Sequence, residues 1–209
     1  MTEPLKDESR GLAAYPHARS EGAAGAPLIV TFHGTGADER QLHGLAAELV
    51  PGAHVISPRG DVDEGGMARF FRRRAEGVYD MDDLARAVEK MAGFLADARS
   101  ATGADRLIGL GYSNGANILA ATAFAHPHLV DDLALMHPLI PWAPDPATGL
   151  AGRRALITAG RRDPICPAPQ TDALALWLER QGAQVDLHWH PGGHEIDRSE
   201  IDALRAFLR

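Results

Sequence analysis

The sequence predicts an α/β chain: a mostly parallel, twisted sheet with helices on both faces. Two observations carry this expectation. Short runs of β-branched and apolar residues alternate along the chain with stretches whose apolar positions recur at helical spacing. Several of the short runs, such as Leu28–His33, are largely β-branched and apolar, as strands buried on both sides tend to be. With 209 residues, 45% of them hydrophobic, and no repeat or linker, the chain reads as one domain over residues 13–209 with a substantial core. Residues 1–12 read as a flexible tail.

The elements follow in order. Ala14–Arg19 reads as a short edge strand and Glu21–Pro27 as a turn. Leu28–His33 is a buried strand that runs into Gly34-Thr35-Gly36, and a helix is expected from about Asp38 to Leu49. Pro51-Gly52 ends that helix, and His54–Ser57 is the next strand. Residues 58–79 form a long glycine- and arginine-rich connection, a kind of loop that is often functional. Asp80 opens an amphipathic helix with Leu84, Ala87, Val88, Met91, Leu95 and Ala98 on one face. Strand 106–112, helix 114–125 and strand 131–136 come next. After a proline-rich excursion from Pro138 to Gly149, the chain gives strand 154–159, a helix over about 167–181, strand 184–190 and a last helix from about Arg198.

Composition excludes several classes of function. A net charge of −7 argues against broad phosphate-backbone binding, so no nucleic-acid partner is expected. The longest apolar runs, including Leu133–Met136, are of strand length and far short of the roughly 20 residues of a membrane span. The single cysteine, Cys166, permits no internal disulfide, and the first ten residues are charged rather than apolar. A cytoplasmic location is the expectation.

The most informative segment is Gly111-Tyr112-Ser113-Asn114-Gly115, between an apolar strand and an alanine-rich helix. A serine flanked two places away by glycines at a strand-to-helix turn is the nucleophile elbow of a hydrolase. The turn lifts the hydroxyl clear of the sheet, and the glycines let strand and helix approach without colliding Cβ atoms. The Asn114 amide then opens the helix and faces an anion, with the helix dipole behind it. In such sheets, sites form at the carboxyl ends of strands. Two further strand exits carry the partners a serine needs: Asp163 in Gly160-Arg-Arg-Asp-Pro164, and His194 in His190-Pro-Gly-Gly-His194. A histidine can take the serine proton near neutral pH, while an aspartate fixes its tautomer. His190 is the competitor for the base, but a base must reach over the sheet from a loop, and Pro191-Gly192-Gly193 gives His194 that loop. His188 and His190 share a face, yet no third metal ligand matches them, so no metal is expected. His33-Gly34-Thr35-Gly36 supplies the other half of an oxyanion hole, pairing the Thr35 amide with that of Asn114. His33 lies at the substrate end of this turn, as a brace more than a chemical participant.

Taken together, the elbow, the glycine turn and the order Ser113, Asp163, His194 resemble the α/β-hydrolase superfamily. More closely, the chain resembles its small bacterial phospholipase/carboxylesterase branch, related to acyl-protein thioesterases and dienelactone hydrolase-like proteins. The resemblance covers about residues 14–209 and includes Arg69-Phe-Phe-Arg72, His137-Pro-Leu-Ile-Pro141 and Arg162-Asp-Pro-Ile-Cys-Pro167. It implies the α/β-hydrolase fold and a cofactor-free serine esterase, often a homodimer, that cleaves small carboxylic esters through an acyl-enzyme. Thioester or lysophospholipid hydrolysis is the nearest alternative. A non-catalytic binding protein on the same fold, or perhydrolase chemistry on the same triad, stands further off. Dienelactone hydrolases carry cysteine at the elbow. Ser113 stands there in this chain, and Cys166, beside the Asp loop, is no replacement.

The substrate pocket is less defined. Arg69-Phe-Phe-Arg-Arg-Arg74 reads either as a pocket wall or as a basic loop paired with Asp80, Asp82 and Asp83. In the wall reading, Phe70 or Phe71 lies against the ester and an arginine such as Arg72 faces an acid. Leu139, Ile140 and Trp142, after a strand end, line an acyl pocket or belong to the core. No separate lid domain is evident, which favours an open cleft and short acyl chains.

Overall fold

Leu28–Phe32 forms the strand around which the sheet is built, because all five residues are buried and must be covered on both faces. The computed structural model describes residues 11–209. The elements in the first half are β1 (His17–Ser20), β2 (Leu28–Phe32), α1 (His43–Leu49), β3 (His54–Pro58), β4 (Val62–Glu64), β5 (Met67–Arg69), β6 (Arg73–Ala75), β7 (Val78–Tyr79) and α2 (Met81–Thr102). The second half comprises β8 (Leu107–Tyr112), α3 (Asn114–Ala125), β9 (Asp132–Met136), β10 (Arg154–Gly160), α4 (Ala168–Arg180), β11 (Gln184–His190) and α5 (Arg198–Phe207). A seven-stranded sheet runs in the order β1-β3-β2-β8-β9-β10-β11. All its pairings are parallel except that of β1, which closes one edge antiparallel to β3.

Strand alternation divides the core in two. Leu28, Val30, Phe32, Leu107, Leu133, Leu135 and Ile157 pack on one side against Met91, Phe94 and Leu95 of α2, Ile118 and Leu119 of α3, and Leu174 and Leu178 of α4. Ile29, Val55, Ile108, Leu110, Ala134, Met136 and Leu156 pack on the other against Ala46 of α1 and Leu204 and Phe207 of α5. Each fully buried large side chain contributes about 2–3 kcal/mol of transfer free energy. Chain order reverses at β2: the chain steps to β3 on one side and later returns to β8 on the other. The connection leaving β2 therefore goes to one face and that leaving β8 to the opposite face, which opens a crevice at their carboxyl ends.

Three local details differ from the sequence expectation. The helix expected from Asp38 begins only at His43. The segment turns locally instead: Asp38 Oδ1 accepts the Arg40 N–H at 2.9 Å, and the Gln41 side chain reaches back, its Oε1 accepting the Gly34 N–H at 2.8 Å. The 58–79 connection contains two hairpins, β4–β5 and β6–β7. The first turns on Gly65-Gly66, with φ of 63° and 88°, the left-handed pair that a two-residue hairpin demands. The expected tail lies outside the described residues up to residue 10. Gly11 and Leu12 are not tail, since Gly11–Ala14 form a 3-10 turn in which Leu12 packs against the core. Among the described residues, no helix is long and apolar enough to cross a membrane.

Helix α3 is pressed directly onto the sheet. A Cβ on Gly111 would lie 2.7 Å from the Ala116 backbone, and one on Gly115 would lie 2.1 Å from the Phe32 carbonyl oxygen. Neither neighbour is a movable side-chain tip. We therefore expect Gly115→Ala to lower unfolding free energy by about 3 kcal/mol or more, read from the urea midpoint. An unchanged midpoint would refute this contact.

Candidate active site

The turn from β8 into α3 leaves Ser113 with φ 53° and ψ −118°. Such a conformation costs a non-glycine residue on the order of 1–3 kcal/mol and persists only where surrounding structure enforces it. Here the Ser113 N–H donates to the Met136 carbonyl at 2.9 Å, and the Ser113 carbonyl accepts the Asn117 N–H at 3.0 Å. The strained turn points the hydroxyl at His194, with Ser113 Oγ 2.9 Å from His194 Nε2. His194 Nδ1 in turn lies 2.7 Å from Asp163 Oδ2.

Asp163 and His194 sit on separate loops that are laced together. Arg161 N–H donates to the His190 carbonyl at 2.8 Å, and Arg162 N–H to the Gly192 carbonyl at 2.9 Å. The loops approach so closely that a Cβ on Gly160 would fall 1.9 Å from the Gly193 carbonyl oxygen. Tyr112 completes the arrangement, its hydroxyl donating to the His194 carbonyl at 2.6 Å. The structure brings His194, and not His190, to Ser113. His190 is buried, accepts the Gly192 N–H on Nδ1 at 3.1 Å and faces α5. His188 also faces α5, through Ser199 at 2.9 Å.

Thr35 and Asn114 both border the cavity above Ser113. Asn114 is the first residue of α3, so its amide has no acceptor within the helix. Residues 68–70 clamp both Thr35 and Asn114. Ala68 carbonyl accepts the Gly36 N–H at 3.0 Å, Arg69 Nη1 donates to Thr35 Oγ1 at 2.6 Å, and Phe70 N–H donates to Asn114 Oδ1 at 2.8 Å. His33 braces the same turn from below. Its Nδ1 donates to the Gly34 carbonyl at 2.7 Å, and its Nε2 accepts the Gly60 N–H at 2.9 Å. Burial pushes the His33 imidazole below its ordinary pKa, consistent with a neutral ring.

The cavity measures about 260 Å³. Of the residues expected to line it, Leu139 does so. Phe70 and Phe71 do not: both are fully buried, Phe70 against Tyr15 and Phe32, Phe71 against Tyr79. Arg72 points outward and pairs with Asp83 at 3.1 Å. Ile140 is core, and Trp142 stacks edge-on against Tyr79 outside the cavity. The wall is instead Met67, Arg69, Arg73, Glu76, Tyr79, Tyr112 and Ile165, together with Leu139 and Cys166. Arg73 forks onto Glu64 at 2.9–3.2 Å and also pairs with Glu76. The Asn117 side chain fixes Leu139, accepting its N–H at 2.7 Å and donating to Tyr79 Oη at 2.8 Å. Cys166 donates from Sγ to the His137 carbonyl at 3.2 Å, and burial raises its thiol well above the ordinary range, so it is not poised as a nucleophile.

Sequence reasoning gave no role to His137 or Glu200. His137 Nδ1 lies 2.9 Å from Asp163 Oδ2, the oxygen that also meets His194. Its Nε2 lies 3.1 Å from Glu200 Oε1. All three side chains are fully buried. Burial alone would raise the Asp163 pKa, but hydrogen bonds from both histidines and from the Cys166 and Ile165 amides hold it far below the carboxylate range. Burial would likewise lower that of His137, yet the two carboxylates outweigh it and raise the value to about 9. A histidine at the exit of β9, between Ser113 and Asp163 in chain order, was the available signal.

Comparison with known proteins follows the same lines. No family model matches the chain. It is 34% identical over 184 residues to a Bacillus subtilis protein named putative hydrolase MhqD, covering 87% of this chain and 92% of that one. Among solved structures, the Bacillus cereus carboxylesterase superposes with a TM-score of 0.90 at 36% identity, covering 99% of this chain and 98% of that one. The chain belongs to the α/β-hydrolase esterase family. A further solved structure, Atu2452 of Agrobacterium tumefaciens, of unknown function, is 54% identical with a TM-score of 0.88, covering 93% of this chain and 96% of that one.

For this α/β-hydrolase the buried imidazole carries a consequence for stability. A group whose pKa is raised on folding, here from 6.5 to about 9, stabilises fully below the lower value and is lost as pH climbs through the upper. We expect unfolding free energy to fall by about 3 kcal/mol between those two pH values. Urea titrations of the wild type against His137→Gln test this. A decline equally steep in a folded variant would refute it.

Proposed function

We propose that this protein is a serine carboxylesterase acting on small esters through an acyl-enzyme. The observation that carries the reading is the continuous line from Ser113 Oγ through His194 to Asp163, at 2.9 and 2.7 Å. Ser113 attacks the ester carbonyl carbon while His194 Nε2 takes the hydroxyl proton. Asp163 keeps the imidazole in the tautomer with Nδ1 protonated and stabilises the imidazolium as it forms. Negative charge moves to the carbonyl oxygen, which the Thr35 and Asn114 amides receive. Because the 68–70 clamp holds those donors in advance, little reorganisation is needed at the moment of reaction. The imidazolium then protonates the departing alkoxide, the alcohol leaves, and Ser113 remains acylated. Water, deprotonated by His194, attacks the acyl carbon, and Ser113 is released with its proton restored.

Size supports small substrates. The cavity, about 260 Å³, falls below the roughly 300–1,000 Å³ usual for drug-sized ligands. Met67, Leu139 and Ile165 give it apolar surface for an acyl or alkoxy group.

With p-nitrophenyl acetate and butyrate as substrates, Ser113→Ala should lose at least about a thousandfold in kcat/KM while staying folded. A fluorophosphonate should modify Ser113 in the wild type. Retained turnover in the variant, or adduct formation elsewhere only, would sink the proposal. Parallel assays with acetyl and butyryl thioesters rank the two leaving groups.

A further inference from the structure

We propose that His137 and Glu200 are positioning residues for the site, carrying a buried cation between two carboxylates that fixes Asp163 and sets the pH at which the enzyme becomes active. The inference rests on the esterase reading and extends it to residues that touch no substrate.

Backbone conformation supports it first. Among the described residues, the only two non-glycine positions with positive φ are Ser113 at 53° and His137 at 50°. Strain of this kind gathers where geometry is enforced for function. At His137 it is held by a 2.7 Å hydrogen bond from its own N–H to the Thr158 carbonyl and by the Cys166 thiol on its carbonyl.

Donor and acceptor accounting supports it independently. A carboxylate only accepts, and a neutral imidazole has one N–H. His137 has carboxylate oxygens on both ring nitrogens, at 2.9 Å from Asp163 and 3.1 Å from Glu200, so both nitrogens must donate. A neutral ring would leave a lone pair facing a carboxylate oxygen in a site without water access. Glu200 meets donors alone: the Thr158 hydroxyl, the Asp197 N–H at 2.6 Å, and His137. The remaining groups facing the ring are His190, Tyr112, Cys166 and His194. His190 accepts the Gly192 N–H on Nδ1, and its Nε2 lies 3.5 Å from Glu200 Oε2. The Tyr112 ring and the Cys166 thiol are pushed by burial toward their protonated forms. His194 shares Asp163 Oδ2, its ring 5.0 Å from that of His137.

The consequence for the reaction follows from Coulomb's law. Asp163 spends part of its field on His137, so it holds the His194 imidazolium less firmly than an undivided carboxylate would. The two imidazoles thus compete for one carboxylate oxygen, and the acid limb of the activity profile reads that competition. Removing the negative charge of Glu200 removes the reason for His137 to be charged, and Asp163 then acts on His194 alone.

Glu200→Gln is the informative variant because glutamine also serves at the third position of the α5 capping box, so the helix start survives. In it, the acid limb of the kcat/KM profile for p-nitrophenyl butyrate should move up by about one pH unit, with KM changed less than about twofold. An acid limb that stays in place, or moves down, in the folded variant overturns the proposal. A second measurement needs no turnover. In wild-type protein labelled with ¹⁵N-histidine, His137 should show two protonated ring nitrogens at about pH 7.5, where an unperturbed histidine is neutral. A neutral His137 there also overturns it. Failure of the esterase reading is distinguishable, since it would appear as absent turnover and an unmodified Ser113 in the wild type.

Discussion

The structure depends above all on one buried carboxylate. Asp163 accepts four hydrogen bonds: Oδ1 takes the Ile165 and Cys166 amides at 2.8 and 2.9 Å, and Oδ2 takes His194 and His137 at 2.7 and 2.9 Å. An ion so placed would be costly without these partners, so each of them is a structural requirement as well as a functional opportunity. The loop after β10, the loop after β11, the exit of β9 and, through Glu200, the start of α5 are all drawn to it. Four distant segments therefore share one electrostatic anchor, and the imidazole beside Ser113 inherits its position from that anchor.

The opposite side of the cavity is built on a different principle. It presents the backbone amides of Thr35 and Asn114, whose placement is a matter of scaffolding. The reversal of strand order at β2 sends α1 and α3 to opposite faces and brings Thr35 and Asn114 to the same crevice. One short segment, Ala68–Phe70, then reaches both with three hydrogen bonds. The buried Phe70 ring, in contact with Phe32 and His33, secures that segment from below.

Where function requires contiguous residues, the sequence was readable. The elbow needs glycine, serine and glycine within five positions, and strands 107–112 and 184–190 declare themselves by their apolar or β-branched runs. The parallel sheet and the two helical layers followed from the same patterns. Legibility failed where a role depends on which distant residues meet. His137 and Glu200 are 63 positions apart, and only folding makes them a pair. Phe70 and Phe71 looked like pocket surface because they sit among arginines. Adjacent hairpins turn both rings into the core and leave Arg69 and Arg73 on the wall. Asp38–Leu42 had helical composition, yet the segment turns on Asp38 and its Gln41 side chain is drawn back to the Gly34 amide.

The two hairpins that frame the cavity differ from the clamp in how tightly the fold constrains them. The Gly65-Gly66 and Gly77 tips face open space, with no atom within 4 Å of an added Cβ, while Gly60, beneath the clamp, would place a Cβ 2.3 Å from the Arg69 carbonyl oxygen. Side chains at the tips would meet no neighbour, although the left-handed backbone there keeps glycine favoured, whereas residues 68–70 are hemmed in by packing. A lineage or an engineer reshaping the cleft can therefore work by splicing new hairpin ends onto an unaltered stem, exchanging its rim while the frame beside Ser113 stays in place.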